Sequence, residues 1–186
     1  MWGPGDVGFF DRVAPLYDLV HPDPDPETMR AAFDPSEREV RTVLDVAGGS
    51  GRVARAIDAE TVVVDVSRGM LARVDGPAVL GDAGTLPVSD DAVDAAICVD
   101  ALHHLPEPGA ALAELARVVK PGGVVAVVDF DPGTVRGRLV ALGERAVGMG
   151  STLRGPDEVA ELLAAAGVDV AVRQRGFVSV VSGIVE

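Results

Sequence analysis

The stretch Thr42-Val-Leu-Asp-Val-Ala-Gly-Gly-Ser-Gly51 constrains the fold more than any other, because an apolar strand with one carboxylate near its end runs straight into a glycine-rich turn. Gly48, Gly49 and Gly51 permit unusual φ values and let a ligand approach the main chain. Arg52 to Ile57 then opens a helix whose unpaired N–H groups point back at the turn. That pattern asks for a nucleotide-like ligand. By spacing alone, Gly49, Gly51 and Ala54 also fit the dinucleotide fingerprint G-x-G-x-x-G/A. Asp45 separates the two readings: a pyrophosphate would meet its negative charge, whereas a ligand carrying an ammonium group finds a partner there. A cationic nucleotide fits better than NAD.

Beyond the turn, strand and helix alternate. Short β-rich runs at 42–47, 61–66, 77–81, 93–99 and 123–130 are separated by helical patterns, which predicts a parallel sheet covered on both faces. Leu112, Leu115, Ala116 and Val119 recur at helical spacing before Pro121-Gly-Gly ends the helix. Gly155 to Gly167 has a proline start, acids in its first turn and a glycine stop. Two further β-rich runs, 168–175 and 177–185, adjoin near Gly176 with no crossover helix, so they pair as a hairpin or lie as neighbours in opposite senses. An antiparallel strand at the end of a parallel sheet sets this chain apart from a plain dinucleotide fold.

With 186 residues the chain has room for one domain, residues 1–186, in which 1–26 forms a helical segment and a stiff Pro-Asp connector, His21 to Pro26. The net charge of −13 makes DNA, RNA and anionic membranes poor partners, because such binding draws on clustered Lys and Arg. Lys120 is the single lysine and the acids are spread along the whole chain, the surface of a salt-adapted, halophilic protein. Cys98 stands alone among apolar neighbours, so no disulfide framework or cysteine metal site is expected, and no metal is assigned. The apolar runs fall well short of a membrane span and no basic-then-apolar leader opens the chain, which predicts a cytoplasmic protein without membrane insertion, monomeric or homodimeric.

The segment 42–51 resembles the first motif of the class I S-adenosylmethionine-dependent methyltransferases, and later segments follow that pattern in order. Thr61-Val-Val-Val-Asp65 resembles their second strand and its ribose-binding acid, Gly81-Asp82-Ala83 their adenine-contacting turn, and Asp94 to Leu105 their fourth strand and following loop. Glu114 to Gly123 resembles the helix and turn before the fifth strand, so the likeness covers roughly residues 42 to 130. Phe9 to Asp18 is similar to the opening of the ubiquinone and menaquinone C-methyltransferases, although only about 25 residues separate the fifth strand from the last helix, too few for much of that group's substrate-binding insertion. The resemblance implies an α/β fold with a Rossmann-like seven-stranded sheet, mostly parallel with an antiparallel last strand and helices on both faces. It implies S-adenosyl-L-methionine as methyl donor and a small-molecule acceptor.

The donor-binding residues expected are Tyr17, Asp45, Ala47, Gly48, Gly49, Gly51, Asp65, Val66, Met70, Asp82, Ala83 and Val99. Each has a plainer role to set against it. Asp45 could pair with Arg52, Asp65 or Ser67 could cap the helix that follows, Asp82 could be an ordinary turn acid and Met70 simple packing. His103, His104 and Asp100 are the catalytic candidates, His being the usual base near neutral pH, while the same loop could merely order the site. The segment through Tyr17 reads either as a lid or as an amphipathic helix packing Phe10, Val13 and Tyr17 on the core. Two other functions share these features: a non-catalytic donor-binding partner protein, disfavoured because Asp45, Gly49, Gly51, Asp65 and Asp82 are all in place, and an NAD-binding oxidoreductase, which gives no reason for Asp45 or the final strand pair.

Overall fold

The computed structural model describes residues 4–21, 23–146 and 149–186. Two helices, α1 (Pro4–Val20) and α2 (Pro26–Phe33), precede β1 (Thr42–Val46), α3 (Arg52–Ala56), β2 (Glu60–Asp65), α4 (Arg68–Leu71), β3 (Ala78–Leu80) and β4 (Val93–Val99). A 3₁₀ turn at Leu102–His104 leads to α5 (Pro108–Val118), β5 (Val119–Phe130), α6 (Val135–Ala146), α7 (Pro156–Ala165), β6 (Val168–Arg175) and β7 (Val178–Val185). Pro22, within the expected connector, and residues 1–3 of the expected lid lie outside the described residues.

The seven strands form one sheet in the order β3-β2-β1-β4-β5-β7-β6. All pairs from β3 to β5 are parallel, and β7 runs antiparallel to both β5 and β6. The β6–β7 hairpin turns at Gly176, whose φ of 62° lies in the left-handed region. Alternation along the strands builds two cores. Leu44, Val64, Ala96 and Val125 pack under Leu112 and Leu115 of α5 and Leu163 of α7, while Val43, Ile97, Val124 and Ala126 pack against Met29 and Ala32 of α2 and Val53 of α3.

Three local expectations are corrected. Val119 is not the last helical residue: its ψ of 134° is extended and it opens β5, so its burial comes from the sheet. The helix after the glycine turn stops at Ala56, since Ile57 is already extended. The segment between β5 and α7 contains α6, which was not among the expected elements; its large apolar residues Val135, Leu139 and Leu142 recur at helical spacing but face solvent.

Candidate active site at the carboxyl ends of the strands

The carboxyl ends of β1, β2 and β4 converge at the place where the strand order reverses, the usual ligand crevice of open α/β sheets. The turn after β1 carries three left-handed residues, Ala47 (φ 56°), Gly49 (φ 57°) and Gly51 (φ 79°). Gly48 is needed for a different reason: a Cβ there would sit 2.3 Å from Asp45 Oδ2, so the turn folds directly onto that carboxyl. Asp45 is 0% exposed, and neither of its oxygens has a hydrogen-bond partner. Burial, and then the charge of Asp65, push its pKa up to about 7, against the lowering effect of Arg52. Arg52 itself is turned to Asp100 at 3.4 Å, so the expected alternative of an Asp45–Arg52 pair is not what the structure shows.

Asp65, at the end of β2, accepts the Gly49 N–H at 2.9 Å and the Ser67 N–H at 2.7 Å, tying the two turns together. Burial raises its pKa despite those hydrogen bonds. The cap of α4 is Ser67, which accepts the Met70 N–H at 3.1 Å, so Asp65 is not that helix's N-cap.

Helix α1 lies across this crevice. Its Asp11 accepts the Ser67 hydroxyl at 2.6 Å and the Gly69 N–H at 2.9 Å, which holds the Asp11 carboxyl below the usual range. Asp18 accepts the Ser50 hydroxyl and faces Arg55 and Arg73, each at 3.6 Å. Gly69 allows the approach, since a Cβ there would meet the Asp11 backbone at 3.0 Å. The cleft enclosed beneath is lined by Phe10 and Tyr17 of α1 and by Ala47, Gly49, Asp65, Val66, Met70, Asp100 and His104, and it measures about 50 Å³. Burial, then Asp100, pushes the Tyr17 hydroxyl up to about 12.

Of the expected donor residues, Gly48, Gly51 and Asp45 shape the turn from behind and do not line the cleft. Asp82 and Ala83 line a different cavity of about 170 Å³ with Thr85 and Leu105. There the Asp82 side chain accepts the Gly84 N–H at 2.9 Å, the turn-acid arrangement. Val99 faces a third cavity, shared with Asp129 and Phe177.

The catalytic candidates divide sharply. Asp100 (φ 54°) lines the cleft, the Val99 cavity and a chamber of about 380 Å³ between α1 and α6. Burial, opposed first by His103, pushes its carboxyl up to about 6. His104 lines the cleft and the chamber, with Nδ1 3.2 Å from the Ser151 hydroxyl and its ring edge-on to Phe10. His103 is 3% exposed, and its Nδ1 is 2.7 Å from Asp129. Its Nε2 faces Glu144 at 3.3 Å, an ion-pair separation outside hydrogen-bond geometry. Burial alone would lower the imidazole, but Asp129 and Glu144 outweigh it and raise it to about 10. His103 lines neither the cleft nor the chamber, and between its two carboxylates it joins the loop after β4 to β5 and α6. His103, His104 and Glu144 also offer ligand atoms within 4.8 Å of one another, the spacing of a possible metal centre.

Asp11, Asp18, Asp129 and Glu144 had not been singled out from the sequence. Asp129 carries the signal that drew attention to Asp45, an acid near the end of an apolar strand. The other three act through partners far away in the chain, and no local pattern marks them.

Comparison with known proteins places this geometry in a family. Residues 44–127 match the methyltransferase domain family, a span running from β1 into β5. A demethylmenaquinone methyltransferase of Renibacterium salmoninarum is 37% identical over 144 residues, covering 67% of this chain and 58% of that protein. A ubiquinone/menaquinone biosynthesis C-methyltransferase of Cupriavidus metallidurans is 32% identical, covering 67% and 59%. The chain thus spans less than two thirds of the length of these relatives. Among solved structures, a SAM-dependent methyltransferase of Thermotoga maritima, described as a possible histamine N-methyltransferase, superposes with a TM-score of 0.80 at 22% identity, covering 95% of this chain and 98% of that one. The methyltransferase crystallised with an activator protein from Haloferax volcanii gives 0.80 at 21% identity, with 94% and 96% covered. These last two show the fold alone. With the family match lying on the strands that build the crevice, the chain belongs to the class I S-adenosylmethionine-dependent methyltransferases.

Proposed function

We propose that the chain transfers the methyl group of S-adenosylmethionine to a small apolar or aromatic acceptor. The single observation that carries the donor half is Asp45, a fully buried carboxyl whose two oxygens lack partners beside the glycine turn. An orphaned buried acid is costly, and a ligand ammonium recovers that cost once the Gly48 turn, which seals Asp45 from the cleft, shifts to admit it. Asp65 stands beside Gly49 in position to take the ribose hydroxyls, and Val66 and Met70 supply apolar walls for the base. The donor brings a methyl carbon already activated by its sulfonium.

The protein's part is then orientation and exclusion of water. Phe10 and Tyr17 of α1 close over the cleft. A cleft of about 50 Å³ is too small for a nucleoside, whose sites run to several hundred Å³, so α1 has to stand further out with donor bound than it does here, which supports its reading as a movable lid. Asp100 and His104 stand where the cleft meets the chamber. Either can take the proton that an acceptor sheds as its new bond to carbon forms. The acceptor half of the proposal rests on that chamber, walled by Phe9, Val13, Phe130 and Val140, and on relatives whose names identify quinone precursors as their substrates.

The test is a pair of measurements. S-adenosylhomocysteine at a hundred times its Kd adds about 2.7 kcal/mol, which for a chain of this size raises Tm by roughly 5 to 10 °C, whereas NAD and NADP leave it unchanged. Methyl-labelled donor incubated with fractionated extract then places label in an apolar small-molecule fraction. Equal stabilisation by NAD would overturn the donor assignment, and label only in protein or nucleic acid would overturn the acceptor assignment.

A further inference from the structure

The net charge of −13 argues against an anionic surface as partner, yet the exposed large apolar side chains gather on two helices. Of the seven large apolar side chains exposed among the described residues, five lie on α1 and α6: Leu16 (64%), Leu19 (80%), Val135 (75%), Leu139 (62%) and Leu142 (65%). On α6, at about 100° per residue, Val135, Leu139 and Leu142 fall in one narrow stripe. Arg136 flanks it on one side, and Arg138 and Arg145 flank it on the other. All three arginines are exposed. The helix's single acid, Glu144, lies on the opposite side and points inward at His103. On α1, Leu16 and Leu19 share a face with exposed Arg12, while Asp11 and Asp18 are tied to Ser67 and Ser50.

A short helix with an apolar stripe between arginines is the pattern of a segment that lies in the interface of an anionic bilayer. We infer that the exposed stripe of α6 docks on an anionic lipid surface. Charge decides between occupants. A second copy packed by a two-fold axis on this stripe would bring the arginines of α6 against their own copies, whereas lipid phosphates complement them. The acids elsewhere on the molecule are screened beyond about 10 Å at moderate ionic strength, so the local patch governs a contact at this face. This docking is independent of the donor and acceptor assignments and is read without activity.

The experiment is flotation of the full chain with vesicles of phosphatidylglycerol and phosphatidylcholine, against vesicles of phosphatidylcholine alone, at low and high salt. The expected result is binding to the anionic vesicles that weakens with salt. The double variants Leu139→Ser with Leu142→Ser, and Arg138→Gln with Arg145→Gln, each lower the partition coefficient about tenfold or more. All four positions are exposed, so unchanged melting confirms that the variants are folded. Absence of binding, equal binding to both vesicle types, or either double variant binding like the wild type overturns the inference. So does a wild-type dimer that the leucine variant dissociates, which assigns the stripe to a second copy.

Discussion

Replacing Asp45 by Asn separates the cost of the buried acid from its use. In the free protein the Asp45 carboxyl is raised from 3.8 to about 7. Below pH 3.8 it is protonated whether the chain is folded or not, and its contribution to stability is fully present. As pH climbs toward 7 the unfolded chain releases this proton while the folded chain keeps it, and stability is lost until the folded group also ionises. A difference of roughly three pH units corresponds to roughly 4 kcal/mol lost by pH 8. Asn keeps the shape and removes the titration, but places an amide N–H₂ in the same dry site at roughly 1 to 3 kcal/mol. Asp45→Asn should therefore melt higher than wild type at pH 8, by roughly 2 to 10 °C, and no higher at pH 5. Binding should move the other way: losing a charge-assisted contact costs about 1.5 to 3 kcal/mol, so S-adenosylhomocysteine should bind roughly ten- to hundredfold more weakly. Wild-type affinity should itself rise with pH up to about 7, as the carboxylate becomes available to the ammonium. Thermal melts at the two pH values and calorimetric titration read all of this. Unchanged ligand affinity in the Asn variant would refute the role given to Asp45, and equal wild-type and variant melting slopes with pH would refute the reasoning about its burial.

Asp65→Ala should weaken donor binding roughly ten- to hundredfold, and it should also lower Tm because the Gly49 and Ser67 N–H groups lose their acceptor; calorimetry and a melt distinguish the two effects. Deleting residues 1–20 removes the Asp11 clamp on α4 and the Phe10 and Tyr17 cover, so the remaining chain should melt cooperatively, bind donor less tightly and lose methyl transfer in larger proportion than stability; failure to fold even in high salt would make α1 part of the core. If the acid excess is a salt adaptation, Tm should climb from low to molar KCl, and a flat or falling series would mark it as compositional.

The sheet was legible because each strand carries its own signal. Thr42–Val46 and Val93–Val99 are apolar runs broken by one acid each, close to what strands buried on both faces must be, and the β6–β7 pair shows itself through the absence of any helix between its two halves. Boundaries blurred where two elements abut without a spacer. Val119 satisfies the helical period of α5 and the burial of β5 at once, and only the backbone decides. Helix α6 shows a limit of periodicity: Val135, Leu139 and Leu142 carry a helical spacing, yet the face they mark is left outside, so the pattern reports a helix and not its burial.

The site divides along the same line. Ser67 as the cap of α4 was among the alternatives open from residue order because its geometry is local, whereas the fit of Gly48 under Asp45 was not, since the expected reason for Gly48 was an unusual φ. The surroundings of His103 were not legible, because histidine chemistry is set by what faces the ring, and its two carboxylates come from the end of β5 and from α6, 26 and 41 positions further along the chain. The adjacent His104 differs from it in no sequence property, yet it lines both the donor cleft and the chamber while His103 lines neither. A pair of neighbouring histidines at the end of a strand thus splits into a strut and a wall, and the division follows from direction: in a single 3₁₀ turn, successive side chains leave the backbone on different sides. The strut fixes the wall. By joining Asp129 to Glu144, His103 fastens α6 against the loop that presents Asp100 and His104, which makes the chamber's geometry depend on a residue that never touches what it holds.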